Sequence, residues 1–303
     1  MANIPSWVYK LLIVLATIIW GFSFVVMKDV VAVLPPAWLL GMRFLFAGAL
    51  LLVILRKRVI RFCSRKVVTY GFILGVLDFT AFWLQTVGLK HTTPGINAFL
   101  TATYCVLVPF AWWLIARKRP TAFNIVAAIV AVCGIWLVSV SSSGETLSIG
   151  FGEVMTLGCA VAFAAHIVAV SKFAQKCDAL VLTVFQFIAE GALGIVFGAA
   201  TETFPGITVF TPEIIGQMLF LAVFASVVAF GIQNVSLAHV PPTQASLLLS
   251  LESVFGVVFS ILLYGEQMTL RLVVGFVLIF AAIVISETLP LKEKPCRRKT
   301  TSS

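Results

Sequence analysis

Five ionisable side chains stand inside otherwise apolar stretches of this sequence: Arg43, Asp78, His166, Glu190 and Glu252. Charges in such surroundings are costly, and are kept there for a partner, an ion path or a ligand. A guanidinium at position 43 suits a carboxylate, because its planar fork makes two parallel hydrogen bonds that an ammonium cannot. Snorkelling to the nearer water interface, or a structural ion pair, competes for the same residue. Asp78 and Glu252 can each take up and release a proton, which makes protons a candidate coupling ion.

Polar and aromatic residues at helical spacing surround these charges. Setting Gly48-Ala49-Leu50 against Gly191-Ala192-Leu193 places Arg43 opposite Gln186 and Ala47 opposite Glu190. Both pairs, Arg43 with Ala47 and Gln186 with Glu190, are one helical turn apart and share a face. Asn97, Thr101 and Tyr104 also fall on one face. Trp20, Trp83 and Tyr104 supply aromatic surface of the kind that walls ligand pockets. Gln85 and Gln233 are a matched pair in a second alignment, although amides in such places commonly bridge helices. Trp7, Trp38, Trp112 and Trp113 read as an interfacial belt.

The elements that must position these groups follow from composition. The chain is 61% hydrophobic and only 11% charged over 303 residues, against about 25% charged in a soluble domain. A spanning helix needs about 20 mostly apolar residues. Ten stretches qualify, roughly 8–27, 37–55, 67–88, 96–116, 122–140, 151–171, 180–200, 215–235, 244–264 and 272–289. The expectation is an all-α integral membrane protein whose lipid bilayer is its main partner. The first stretch lacks a small-residue cleavage site and is expected to remain as a helix. Pro109, inside the fourth stretch, is expected to kink it.

The sequence repeats itself. Residues 82–121 and 230–269 align without a gap, so that Gln85 meets Gln233, His91 meets His239, and Asp78 meets Ser226 just upstream. Ten spans divide into two sets of five. An odd number per set makes the sets enter the membrane in opposite directions, an inverted repeat of the kind found in secondary transporters. The expected division is 1–145, 146–290 and a basic tail at 291–303, with a short polar connector at 141–150.

Charge sets the expected orientation. Arg56, Lys57, Arg58, Arg61, Arg65, Lys66, Arg117, Lys118, Arg119, Lys172 and Lys176 fall on one side together with the tail. The positive-inside rule makes that side cytoplasmic, with both termini. The net charge of +9 is then a topology signal, and no nucleic-acid partner is expected. No C-x-x-C pair, H-E-x-x-H, phosphate loop, dinucleotide fingerprint or G-x-S-x-G elbow occurs, so no enzyme activity, metal or cofactor is expected.

Trp20-Gly21-Phe22-Ser23-Phe24-Val25-Val26-Met27-Lys28, Arg43-Phe44, the segment 89–109 (LKHTTPGINAFLTATYCVLVP) and Leu251-Glu252-Ser253-Val254-Phe255 with Leu263-Tyr264-Gly265-Glu266 resemble the EamA-domain family of the drug/metabolite transporter superfamily. The resemblance covers nearly the whole chain. It implies a ten-helix carrier of small metabolites in the inner (cytoplasmic) membrane, exporting such compounds as amino acids by alternating access, with a cavity between the halves. It also places an acidic residue at the Glu252 position, which suits a structural or gating role there. Ala164-Ala165-His166 departs from the aromatic-rich echo of the first span that the family often carries. The expected cavity residues are Trp20, Arg43, Asp78, Trp83, Gln85, Asn97, Thr101, Tyr104, His166, Gln186, Glu190, Gln233 and Glu252. A monomer or weak dimer is expected. A non-transporting membrane scaffold or sensor, and an importer of the same superfamily, are the alternatives.

Overall fold

Prolines and short polar caps punctuate the chain, and the helices begin where they fall. The computed structural model describes residues 5–116, 119–139, 149–237 and 248–288. Helix α1 (Ser6–Val33) ends before Pro35, and α2 (Pro36–Ile54) opens with Pro36 in its first turn. A first-turn proline gives up no helical hydrogen bond there. Ser64 accepts from the Val67 N–H to start α4 (Arg65–His91), and Thr93 accepts from the Ile96 N–H to start α5 (Pro94–Ala102). Asp178 and Thr211 likewise cap α9 (Ala179–Thr201) and α10 (Pro212–Leu219). The remaining helices are α3 (Arg56–Phe62), α6 (Tyr104–Ala116), α7 (Ala122–Ser139), α8 (Phe151–Phe173), α11 (Ala229–Leu237), α12 (Leu251–Phe259) and α13 (Leu270–Thr288).

Eight helical segments are long and apolar enough to cross a membrane, and two shorter apolar ones, Leu251–Tyr264 and Leu270–Ser286, follow them. The chain is a multi-pass membrane protein. The ninth expected span begins in residues outside those described, as do the connector after residue 139, His239 and the tail. Two local features lie outside those expectations. The basic stretch after the second span forms a short helix, α3, whose Arg and Lys are good helix formers and whose Val59 is buried. The fourth span is interrupted at Thr103, six residues before Pro109, which itself sits within α6.

Large apolar residues cover the outside, with Leu114 at 74% exposure and Leu262 at 71%. In lipid such a surface drives nothing together, so small residues and polar contacts decide the packing. Helix α2 packs most closely on α9, α4 on α8 and α9, α7 on α13, and α1 on α12 and α11. Where α2 crosses α9, Gly41 and Gly194 lie back to back. A Cβ on Gly194 would fall 2.6 Å from the Gly41 Cα, so only glycine lets these backbones touch. Phe44 and Phe187 fill the core beside that crossing, with ring centres 5.2 Å apart. A second core joins α5, α7, α12 and α13, where Phe99 stacks on Phe276 at 4.3 Å.

Candidate functional site

The helices enclose a cavity of about 260 Å³. Ten of the residues expected from the sequence line it: Trp20, Arg43, Asp78, Gln85, Thr101, Tyr104, His166, Gln186, Gln233 and Glu252. Trp83, Asn97 and Glu190 do not. Trp83 packs edge-on against Phe197 at 5.3 Å. Asn97 is fully buried and donates to the Gln85 carbonyl (3.2 Å) and the Thr156 hydroxyl (2.7 Å), fastening α5 to α4 and α8. Glu190 lies fully buried in α9, outside the cavity lining.

Arg43 is 2% exposed. Its Nε donates to Ser226 Oγ at 3.0 Å, and Nη1 faces the Met27 sulfur at 3.8 Å. The guanidinium carbon lies 4.7 Å from the Phe44 ring centre and 5.3 Å from that of Phe82. Its charge acts on Glu190 and Asp78. Gln186 donates to Asp78 Oδ2 at 2.6 Å, and His166 Nδ1 stands 3.6 Å from Asp78 Oδ1. The Glu190 carboxyl reaches Asp78, and neither of its oxygens meets an N–H or hydroxyl donor. Two carboxyls in such contact share a proton or repel. Arg43, Asp78, Glu190, His166 and Gln186 thus form one buried polar cluster.

Glu252 stands elsewhere on the wall. Its carboxylate is hydrogen-bonded by Tyr104. Aromatic faces occupy much of the remaining surface. Trp20 meets Phe230 edge to face at 5.4 Å, and Tyr104 lies 6.1 Å from Phe163. The Trp20 indole N–H is spent on the Ala225 carbonyl at 2.8 Å. Phe82, Phe163 and Phe230 line the cavity without having been singled out in the sequence, because 26 phenylalanines give no contrast. Ser226 was marked only as the repeat counterpart of Asp78.

The two ends of the bundle differ. At one end the cavity lining runs from the buried Thr183 to the exposed Ser171. Beside this end, Arg58 grips Asp178 at 2.8 Å. Partial burial would raise the Asp178 carboxyl, but the Arg58 guanidinium and the Val181 N–H hold it below the usual range. At the other end, charges are set against helix ends. Glu202 accepts from the Ala37 N–H at 3.0 Å, at the start of α2. Glu266 accepts from Gly95 N–H at 3.1 Å and from the Thr93 and Ser260 hydroxyls. Lys28 donates to the Leu89 and Thr92 carbonyls at 2.6 and 2.7 Å, at the end of α4. Among the described residues no group of His, Cys, Asp and Glu could hold a metal ion.

Comparison with known proteins places this architecture. The model of the EamA-like transporter family matches twice, over residues 7–140 and 150–288. An uncharacterized transporter of Archaeoglobus fulgidus is 29% identical over 89% of this chain and 83% of its own. The uncharacterized transporter YvbV of Bacillus subtilis is 26% identical over 95% and 94%. A protein of Salmonella typhimurium named as a probable amino-acid metabolite efflux pump is 23% identical over 91% and 93%. A solved crystal structure superposes with a TM-score of 0.65 over 93% of this chain and 98% of the other, at 16% identity, a likeness of fold alone.

Proposed function

Because the chain belongs to the EamA-like transporter family, we propose that it is a secondary transporter exporting small metabolites across the cytoplasmic membrane. Two inverted five-helix halves, 1–145 and 146–290, rock about the cavity between them. Amino acids and related compounds are the substrate range, as the name of the Salmonella relative suggests.

One observation carries the reading: contacts recur when the halves are exchanged. In the repeat register Arg43 corresponds to Gln186 and Ser226 to Asp78. Arg43 donates to Ser226 at 3.0 Å, and Gln186 donates to Asp78 at 2.6 Å. Gly48 packs on Ile188, and its counterpart Gly191 packs on Leu45, the counterpart of Ile188. The α4 contact with α8 likewise exchanges with the α1 contact with α11. Two bodies related in this way can close either end of a shared cavity by equivalent motions. Here the end with Glu202, Glu266 and Lys28 is tied, and the end beside Arg58 is the open one. The basic residues make the open end cytoplasmic, which is the loading state of an exporter. A scaffold or sensor needs no such cavity.

The return step is proposed to use a proton. A carboxylate lining the cavity, Asp78 or Glu252, is neutralised by substrate in one direction and by a proton in the other, giving antiport. The test is solute flux in vesicles reconstituted with the full chain and loaded with a cell metabolite extract. Uphill accumulation driven by an imposed pH gradient is expected, and Asp78→Asn should keep exchange while losing accumulation if Asp78 is the carrier. Wild-type flux that ignores the gradient removes the coupling. No flux of any solute removes the transporter reading.

A further inference from the structure

Among the described residues, one carboxylate of the cavity has no cation beside it. Among them Arg43 is the only Arg or Lys in the lining, and its field falls on Glu190 and Asp78. Among the described residues, no Lys, Arg or His stands within ion-pairing distance of Glu252. Its partner is the Tyr104 hydroxyl. An ionised carboxylate facing an aromatic, poorly hydrated space calls for a positive charge.

Its surroundings suit one kind of charge. The Trp20 N–H is already given to Ala225, so the indole can offer a ligand only its ring. Phe163 and Phe230 add further ring surface. Ring faces attract cations, and alkylated ammonium groups are recognised in this way because they lose little hydration. On the same wall Arg43 has its Nε committed to Ser226 and its plane packed against Phe44 and Phe82. Tyr104 and Glu252 also hold the same position in the two repeats. They meet where the halves meet, so a ligand between them is reachable from whichever end is open.

We propose that Glu252 and Tyr104 form an ammonium subsite, and that the transported compound is an organic amine, cationic overall, with an apolar or aromatic body. This rests on the transport reading above and narrows it. The amine's N–H groups, or its N-alkyl groups, face the carboxylate and the phenol oxygen, while the body lies along Trp20, Phe163 and Phe230.

The test uses the full chain in lipid nanodiscs, with phenethylamine, benzyltrimethylammonium, phenylalanine and 3-phenylpropionate as probes. Calorimetry should detect both cations, with phenylalanine weaker and 3-phenylpropionate neither binding nor competing. Glu252→Gln should weaken the cations by about tenfold or more. Tyr104→Phe, which keeps the ring against Phe163, should weaken phenethylamine by a few-fold while leaving the unfolding temperature unchanged, which guards against a folding defect in the first variant. Failure of both cations to bind, equal binding of 3-phenylpropionate, or wild-type affinity in Glu252→Gln overturns the proposal. Flux of the same cations in vesicles separates the two readings. Glu252-dependent binding without flux keeps the subsite and removes transport. Flux of other metabolites that neither cation inhibits keeps transport and removes the subsite.

Discussion

At the scale of single residues, Arg43 shows how a charge is kept inside a membrane span. Its guanidinium is satisfied by a hydroxyl, a sulfur and two ring faces, and offset by carboxyls that are not in contact with it. Removing one member of a buried charge group strands the others, at about 3 kcal/mol. Arg43→Ala should therefore lower stability by about 3 kcal/mol and abolish flux. Arg43→Lys should recover little, having neither the Nε donor nor the flat face. Adding Glu190→Gln to Arg43→Ala should restore part of the stability, because the stranded carboxyl is then gone. Thermal unfolding in detergent reads all three, and strict additivity of the two substitutions would remove the coupling. The repeat register set Arg43 against Gln186 before any geometry was known, and each now has the other's counterpart partner. Trp83 could not be read in the same way. In a helix that is apolar all round, no polar face fixes the rotation, so an indole pointing into the cavity and one pointing at Phe197 look alike in sequence.

At the scale of elements, capping residues and prolines act locally. Pro36, Pro94 and Pro212 each stand in the first turn of a helix. The close crossings were legible only in part. A spacing such as Gly71 to Gly75 announces a close neighbour without saying which, and both residues pack on α9. Helix α3 was missed because its seven residues are too short and too basic to register as an apolar period. It carries the strongest orientation signal in the chain. Arg58 clamps it to the start of α9 through Asp178, an exposed pair worth about 0.5 kcal/mol. The Asp178 carboxyl lies below its usual range, so that contribution is present above the carboxyl's unfolded pKa and is lost as pH falls through the lower folded value. A cysteine replacing Ile60, which is 81% exposed, should react with a membrane-impermeant maleimide only after the cells are opened. Labelling in intact cells would reverse the orientation and turn the open cavity outward.

At the scale of the whole molecule, the placement of charge between the halves has an electrical consequence. Arg43 and Asp78 both belong to 1–145, and their counterparts Gln186 and Ser226 are neutral. Opposite charges riding on one body cross a membrane voltage together and do no net work. A single uncompensated charge would instead feel about 2.3 kcal/mol per 100 mV. Glu252 is the charge at risk. If it moves outward with an ammonium and returns with a proton, it never crosses the field alone. Each cycle then exchanges one positive charge for another, and the driving force is the pH difference without the voltage. In vesicles clamped by potassium and valinomycin, a pH step should concentrate amine, while a voltage step at equal pH should leave it level. Accumulation driven by voltage alone would mean that Glu252 travels bare on one leg of the cycle.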